Sequence, residues 1–293
     1  MGARKKTNEQ AYREESGFFS SQIDQERIFY RKYWPVENPK RVLVYQHGFG
    51  EHSGRYQNLI EALGGTQTAI YGQDLRGHGR SPGIRGHVSD FYWYSRDYGQ
   101  LVELALKETG LSQAVALGHS MGAVVVLKYI LREKKQDIFS GVILSAAAFR
   151  PVVDLEKFIK KTFAQILSPF FGDIILDANL DARLLSHDSE VVFRYQSDPL
   201  VHGRISLKMG DTFFSSGEEL LQRAGEIHTP LLILHGGADA ITDPAAAKEF
   251  FEKVGSQDKT LKIYPGLYHE IMNERNEDRQ RVLSDIREWL LAH

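Results

Sequence analysis

A serine stands between two close glycines at Gly118-His119-Ser120-Met121-Gly122, where the apolar run Ala114-Val115-Ala116-Leu117 stops and the helix-like run Val124 to Lys134 starts. A chain that passes from strand to helix in so few residues must turn sharply. Glycines on both sides of the serine let the helix pass close to the strand without a Cβ in the way. A turn of this kind lifts a hydroxyl above the end of a sheet, where it can act as a nucleophile. The simpler reading makes Ser120 a helix-capping residue, and the five-residue pattern alone does not separate the two. The rest of the chain has to decide.

The flanking sequence repeats the strand-to-helix rhythm. Phe18 to Tyr33 alternates apolar and polar residues as an edge hairpin would, and Arg41 to Gln46 is a short, nearly continuous apolar run expected of a buried parallel strand. That run ends in the glycine-rich loop His47-Gly48-Phe49-Gly50. A helix near Tyr56 to Leu63, a strand at Thr68 to Gly72, a helix over Phe91 to Lys107 and a strand at Gly141 to Ser145 follow. Strands alternating with helices predict a doubly wound α/β domain with a mostly parallel central sheet. Asp74 to Gly83 is glycine-rich but lacks the lysine pattern of a phosphate-binding loop, so it reads as a structural loop beneath the site.

From Ala147 to Ser206 the rhythm is lost. Leu155, Phe158, Ile159, Phe163, Ile166, Leu167, Phe170 and Phe171 form a broad apolar stripe with Lys157, Lys160 and Lys161 off it. This predicts a helical cap over residues 147–206, inserted into a core made of residues 17–146 and 207–293, with residues 1–16 a loose N-terminus. Part of the stripe packs on the domain below. Part of it can line an acyl channel or touch a lipid surface transiently. The sheet then resumes with Leu231 to His235, ending at Gly236-Gly237-Ala238-Asp239, and Leu261 to Tyr264, leading to Tyr268-His269.

Composition removes other classes. The 293 residues carry a formal net charge of −2 with both signs interspersed, so nucleic acid is not an expected partner. The absence of cysteine excludes disulfides, thiolate metal sites and a cysteine nucleophile, and no cofactor or metal is expected. No apolar run approaches the ~18 residues of a membrane span. The opening Met1-Gly2-Ala3-Arg4-Lys5-Lys6 has neither an apolar signal core nor the Ser or Thr that myristoylation requires where Lys6 stands. The expectation is a cytoplasmic protein, peripheral at membranes if it meets them.

Serine catalysis needs an imidazole to take the hydroxyl proton and a carboxylate to hold that imidazole. Ser120, Asp239 and His269 each follow an expected strand, in the Ser, Asp, His order of α/β-hydrolases. Loops after parallel strands open on one sheet edge, so the three can converge. Asp243 and Asp211 compete for the acid, but the first reads as a helix cap and the second lies in a helix-like stretch. His47, His78, His119, His228 and His235 compete for the base, but His269 has a loop of its own after the last strand. Oxyanion donors are expected from the N–H groups of Met121 and Phe49.

With these residues placed, the chain resembles the monoacylglycerol lipase family of serine hydrolases. The likeness is carried by His47-Gly48-Phe49-Gly50-Glu51-His52-Ser53-Gly54-Arg55-Tyr56, by Gly118 to Gly122, by Ser197-Asp198-Pro199-Leu200 and by Ser256 to Tyr264 with Tyr268-His269-Glu270, and runs from about residue 17 to 292. It implies an α/β-hydrolase core under a cap, and hydrolysis of a monoacylglycerol or similar single-chain lipid ester. It also implies the Ser120, Asp239, His269 triad, the Phe49 and Met121 oxyanion hole, and substrate contacts from Glu51, Arg55 and Tyr195 at the polar end of the pocket. Ala123 stands where the family has a further glycine, and Phe49 where it has a smaller residue. The second reshapes the mouth or the acyl channel. A lysophospholipase or broad carboxylesterase, an iminopeptidase using cap carboxylates such as Asp154, Glu156 and Asp173, and a non-catalytic binding protein of the same fold are the alternatives. An epoxide hydrolase or dehalogenase would place Asp where Ser120 stands.

Overall fold

The computed structural model describes residues 11–152, 172–178 and 180–293. Strand β1 (Tyr12–Ser20) and β2 (Arg27–Pro35) form an antiparallel hairpin, and β2 pairs antiparallel with β4 (Thr68–Gln73). Next to β4 come β3 (Arg41–Gln46), β5 (Ala114–His119), β6 (Phe139–Ser145), β9 (Leu231–Gly236) and β10 (Lys259–Tyr264), all parallel. The helices between them are α1 (Gln57–Ala62), α2 (Tyr92–Thr109), α3 (Met121–Glu133), α5 (Leu207–Arg223), α6 (Pro244–Lys253) and α7 (Asn276–Ala292).

Alternation along the strands explains why the sheet is covered on both faces. Val42 and Val44 of β3 share one side with Tyr98 of α2 and Val126 of α3, in a cluster that extends to Phe250 of α6. Leu43 and Tyr45 pack with Leu59 of α1 and Ile286 and Leu290 of α7 on the other. Strand β9 divides the same way, with Leu231 and Ile233 on the first face and Leu232 and Leu234 on the second. Successive side chains of a strand point to opposite faces, so a run apolar at every position is buried on both.

Two differences from the expected layout stand out. Strand β1 begins at Tyr12, so residues 12–16 are not a loose terminus. Arg13, Glu14 and Glu15 read as a solvated tail, but Glu14 pairs with Arg31 at 2.7 Å and Glu15 with Lys32 at 3.2 Å across the hairpin. The insertion is also not helical throughout. Its described part holds the small antiparallel pair β7 (Ile175–Asp177) and β8 (Arg204–Ser206), and the helix α4 (Ser189–Ser197). The apolar stripe Leu155 to Phe171 lies outside the described residues, as do Asp154 and Glu156.

In the order β4-β3-β5 the chain has moved to one side of β3 and then to the other. Loops leaving the carboxyl ends of β3 and β5 therefore diverge and leave a crevice between them, the usual ligand position in an open α/β sheet. The loop Gly48-Phe49-Gly50 and Ser120 are the two sides of that crevice.

Candidate active site

Ser120 follows β5 directly and has φ 54° and ψ −122°, a strained conformation for a residue with a side chain. It is not a cap: its side chain makes no capping hydrogen bond to α3. The glycines explain how the turn is tolerated. A Cβ on Gly118 would strike the backbone of Ala123, and one on Gly122 would strike the carbonyl oxygens of Gln46 and His47. Ala123 is itself fully buried and fits where it stands. The Ser120 N–H donates to Ser145 O at 2.9 Å, and Ala148 N–H donates to Ser120 O at 3.2 Å, so β6 braces the turn.

Asp239 lies in the loop after β9 and His269 in the loop after β10, and the two meet with His269 Nδ1 2.8 Å from Asp239 Oδ2. Asp239 Oδ1 accepts from the N–H groups of Ile241 (2.8 Å) and Thr242 (3.0 Å), and Oδ2 accepts from Thr242 Oγ1 (2.8 Å). Burial alone would raise the Asp239 carboxyl. The charge of His269 and hydrogen bonding from His235 and His269 outweigh it, holding the carboxyl far below the usual range. Burial lowers the His269 imidazole, but Asp239 more than reverses this, with Glu270 and Glu51 adding to it, so its pKa lies above the ordinary value. A carboxylate fixed as an anion on Nδ1 leaves Nε2 as the proton acceptor. Ser120 and His269 line the same cavity of about 690 Å³. Among the described residues Ser120 Oγ makes no hydrogen bond, as is common for a nucleophile and base before substrate draws them together.

Among the competing candidates, His119 lines the same cavity and His235 lies against Asp239, while Asp243, Asp211, His47 and His228 have other places. Asp243 caps α6 by accepting from Ala245 N–H at 2.8 Å, and Asp211 sits within α5. His47 accepts from Leu75 N–H through Nε2 (2.9 Å) and donates through Nδ1 to Gly48 O (2.7 Å), which makes it a brace for the loop after β3. His228 lies by Gly255 O at 3.2 Å, away from the cavity.

That brace matters for the oxyanion position. Gly48 N–H is taken by Glu51 Oε1 at 2.8 Å and Gly50 O by His202 N–H at 2.9 Å, so the loop is pinned on both sides of Phe49. Among the described residues neither the Phe49 nor the Met121 N–H donates to a loop or side-chain acceptor. The Phe49 ring packs edge-on to His78 and His202, with centroids 6.1 and 6.0 Å away, and forms part of the cavity wall.

Glu51, Arg55 and Tyr195 are brought together at the same cavity. Arg55 donates to Glu51 Oε2 at 3.0 Å and lies 4.7 Å above the Tyr195 ring. Its strongest partner, Glu270, was not assigned from sequence: Nη1 and Nη2 donate to Glu270 Oε1 and Oε2 at 2.6 and 2.9 Å. Glu270 adjoins His269, which was a usable signal. Burial would raise Glu51, yet Arg55 first and then His119 and His47 bring it down to about 2. The rest of the lining is largely apolar, with Phe213, Phe214, Leu180, Leu185, Ile241 and Pro151 among its residues. Thr242 and His235, which flank Asp239, were also not assigned.

Among the described residues no group of three or more His, Cys, Asp or Glu could hold a metal ion, and no helix is long and apolar enough to cross a membrane. Residues 37–276 match the family described as serine aminopeptidase, S33. A monoacylglycerol lipase from Mycolicibacterium smegmatis is 35% identical over 268 residues, covering 91% of this chain and 94% of the relative. The crystal structure of a Paleococcus ferrophilus monoacylglycerol lipase superposes with TM-score 0.81 at 36% identity, covering 91% of this chain and 99% of that one. A soluble variant of the Saccharomyces cerevisiae monoglyceride lipase, solved with a substrate analog, superposes with TM-score 0.84 at 26% identity, covering 96% and 95%.

Proposed function

Because the chain belongs to the monoacylglycerol lipase family of α/β-hydrolases, we propose that it cleaves the ester bond of monoacylglycerols to free fatty acid and glycerol through an acyl-enzyme. Ser120 Oγ attacks the ester carbonyl carbon as His269 Nε2 takes its proton, and the Phe49 and Met121 N–H groups receive the developing oxyanion. Collapse breaks the ester C–O bond, and glycerol leaves with the proton held by His269. Water, deprotonated by the same nitrogen, then releases the fatty acid and restores Ser120.

One observation carries the reading. Ser120 and an Asp239-bound His269 share a cavity whose wall is largely apolar and which also holds the Glu51, Arg55, Glu270 cluster. The apolar wall suits an acyl chain, and Glu51, Arg55 and Tyr195 suit the hydroxyls of glycerol. A phosphate head would meet two carboxylates around a guanidinium that they already neutralise, which disfavours lysophospholipids. An aminopeptidase needs a carboxylate open to an amine: Glu51 and Glu270 of the cavity are both engaged by Arg55, Asp173 is exposed beside His87, and Asp154 and Glu156 lie outside the described residues. Exposed Val152, Ile174, Ile175 and Phe193 lie on the insertion and offer apolar contact to the micelle or bilayer that supplies a single-chain lipid.

The test is fatty-acid release from monoacyl-, diacyl- and triacylglycerols and lysophosphatidylcholine of one chain length, with Ser120→Ala as control. Preference for the monoacyl lipid, lost in the variant, is expected. Equal serine-dependent activity on all four would move the protein to the general esterases, and full turnover by Ser120→Ala would end the mechanism.

A further inference from the structure

His235, the penultimate residue of β9, is fully buried and does not line the cavity, yet its ring sits behind the carboxylate of Asp239. Its Nε2 is 3.1 Å from Asp239 Oδ2 and 3.2 Å from both the carbonyl oxygen and Oγ1 of Thr242. Two of these neighbours are acceptors only, so the neutral ring carries its proton on Nε2; a lone pair there would face two oxygens. The other nitrogen, Nδ1, has no partner among the described residues, which fits a ring held in one tautomer.

Thr242 completes the connection. Its hydroxyl donates to Asp239 Oδ2 at 2.8 Å and lies 3.3 Å from His269 Nδ1. A continuous polar chain therefore runs from His235 through Thr242 to Asp239 and on to His269, beginning at a residue outside the cavity lining. We propose that His235 is a positioning residue, which with Thr242 fixes the Asp239 carboxylate and draws part of its negative charge away from His269. This rests on the catalytic reading of Asp239 and His269 above.

The physical consequence has a sign. The Thr242 O–H donates to Oδ2 and the His235 Nε2–H, bonded to Thr242, lies 3.1 Å from the same oxygen, so each weakens the hold of Asp239 on the His269 imidazolium. Removing the His235 N–H concentrates charge on His269 and makes it harder to deprotonate. Other charged and titratable groups reach His269: His119 from β5, with its ring centroid 5.0 Å away, and Glu51 and Glu270 at the polar end of the cavity. None of these touches His235, so a change made there leaves them in place.

The experiment is the pH profile of kcat/KM for a nitrophenyl ester in the wild type, His235→Leu and His235→Gln, with Asp239→Asn alongside. His235→Leu is expected to move the acidic limb up by about one pH unit. It is also expected to lower kcat/KM at pH 7 roughly ten-fold as the carboxylate loses its brace. His235→Gln, which keeps an N–H, is expected to restore the limb. If His235→Leu does not fold, Thr242→Val interrupts the same chain and is expected to move the limb in the same direction. An unshifted limb in the folded variants, or equal losses in Leu and Gln, would overturn the proposal. An active Asp239→Asn would instead overturn the catalytic reading on which it stands.

Discussion

Arg55 and Glu270, 215 residues apart in sequence, are joined by two hydrogen bonds of 2.6 and 2.9 Å in which both guanidinium Nη atoms meet both carboxylate oxygens. The pair ties the loop after β3 to the loop that carries His269, with Glu51 on its other side. Removing Arg55 would leave two buried carboxylates facing each other without a counter-charge.

Arg55→Ala is therefore expected to cost about 3–5 kcal/mol of unfolding free energy in urea titration. Arg55→Lys should cost less, because it keeps the charge and loses only the paired geometry. Glu51 gives the pH dependence. Its folded pKa of about 2 lies below its ordinary 4.5, so its contribution is present above pH 4.5 and is lost as pH falls toward 2. In Arg55→Ala that loss should begin at higher pH.

Activity should have an acidic limb above the ordinary histidine value of 6.5. The proposed base His269 can take a proton only when neutral, and Asp239 raises its pKa, so kcat/KM is expected to fall as pH drops through that raised value. Glu270→Gln removes one of the charges that raise it, and the limb should move to lower pH. A pH-rate profile of both proteins checks the direction.

Four other histidines predict early acid destabilisation. Burial first, with nearby positive groups in second place for some, lowers His119 and His202 to about 4 and puts His47 and His78 below their ordinary value. Between pH 6.5 and 4 the unfolded chain takes up protons that the folded chain refuses, so stability falls as pH drops through this window. His269 acts oppositely: its raised pKa favours the fold below 6.5, and that contribution is lost as pH rises through the folded value. Each depressed histidine adds a slope of up to about 1.4 kcal/mol per pH unit. His202→Gln should flatten the fall by one such contribution in denaturant midpoints measured from pH 7 to 4.

Gly122→Ala should be far more damaging than Gly110→Ala. A Cβ on Gly122 meets the backbone of Gln46 and His47, which cannot yield without moving the loop after β3. Gly110 has φ +70° but nothing within 4 Å, so alanine there costs only the left-handed backbone penalty of about 1–2 kcal/mol. Thermal melts should separate the two, and fluorophosphonate labelling of Ser120 should be lost only in Gly122→Ala.

What the sequence determined by itself was whatever depends on neighbours along the chain. The strand-to-helix turn at Ser120 is dictated by flanking glycines, and the parallel sheet by runs such as Leu231 to Leu234, apolar at every position. The order of Ser120, Asp239 and His269 after successive strands follows from the same rhythm. Tertiary structure decided what depends on groups meeting across the sheet edge. Glu14 and Glu15 became strand because Arg31 and Lys32 across the hairpin neutralised them, with Arg13 pairing to Glu15 along the strand, where charge alone suggested a tail. Phe49 became part of the cavity wall because His78 and His202 received its ring. Glu270 found Arg55, and His235 found Thr242 and Asp239, only because loops after different strands open on one edge. Backbone preference and hydrophobic period act over a few residues and leave a readable pattern. Charge pairing and hydrogen bonding act over a few ångströms between residues of any separation, so their partners appear only once the strands are in order.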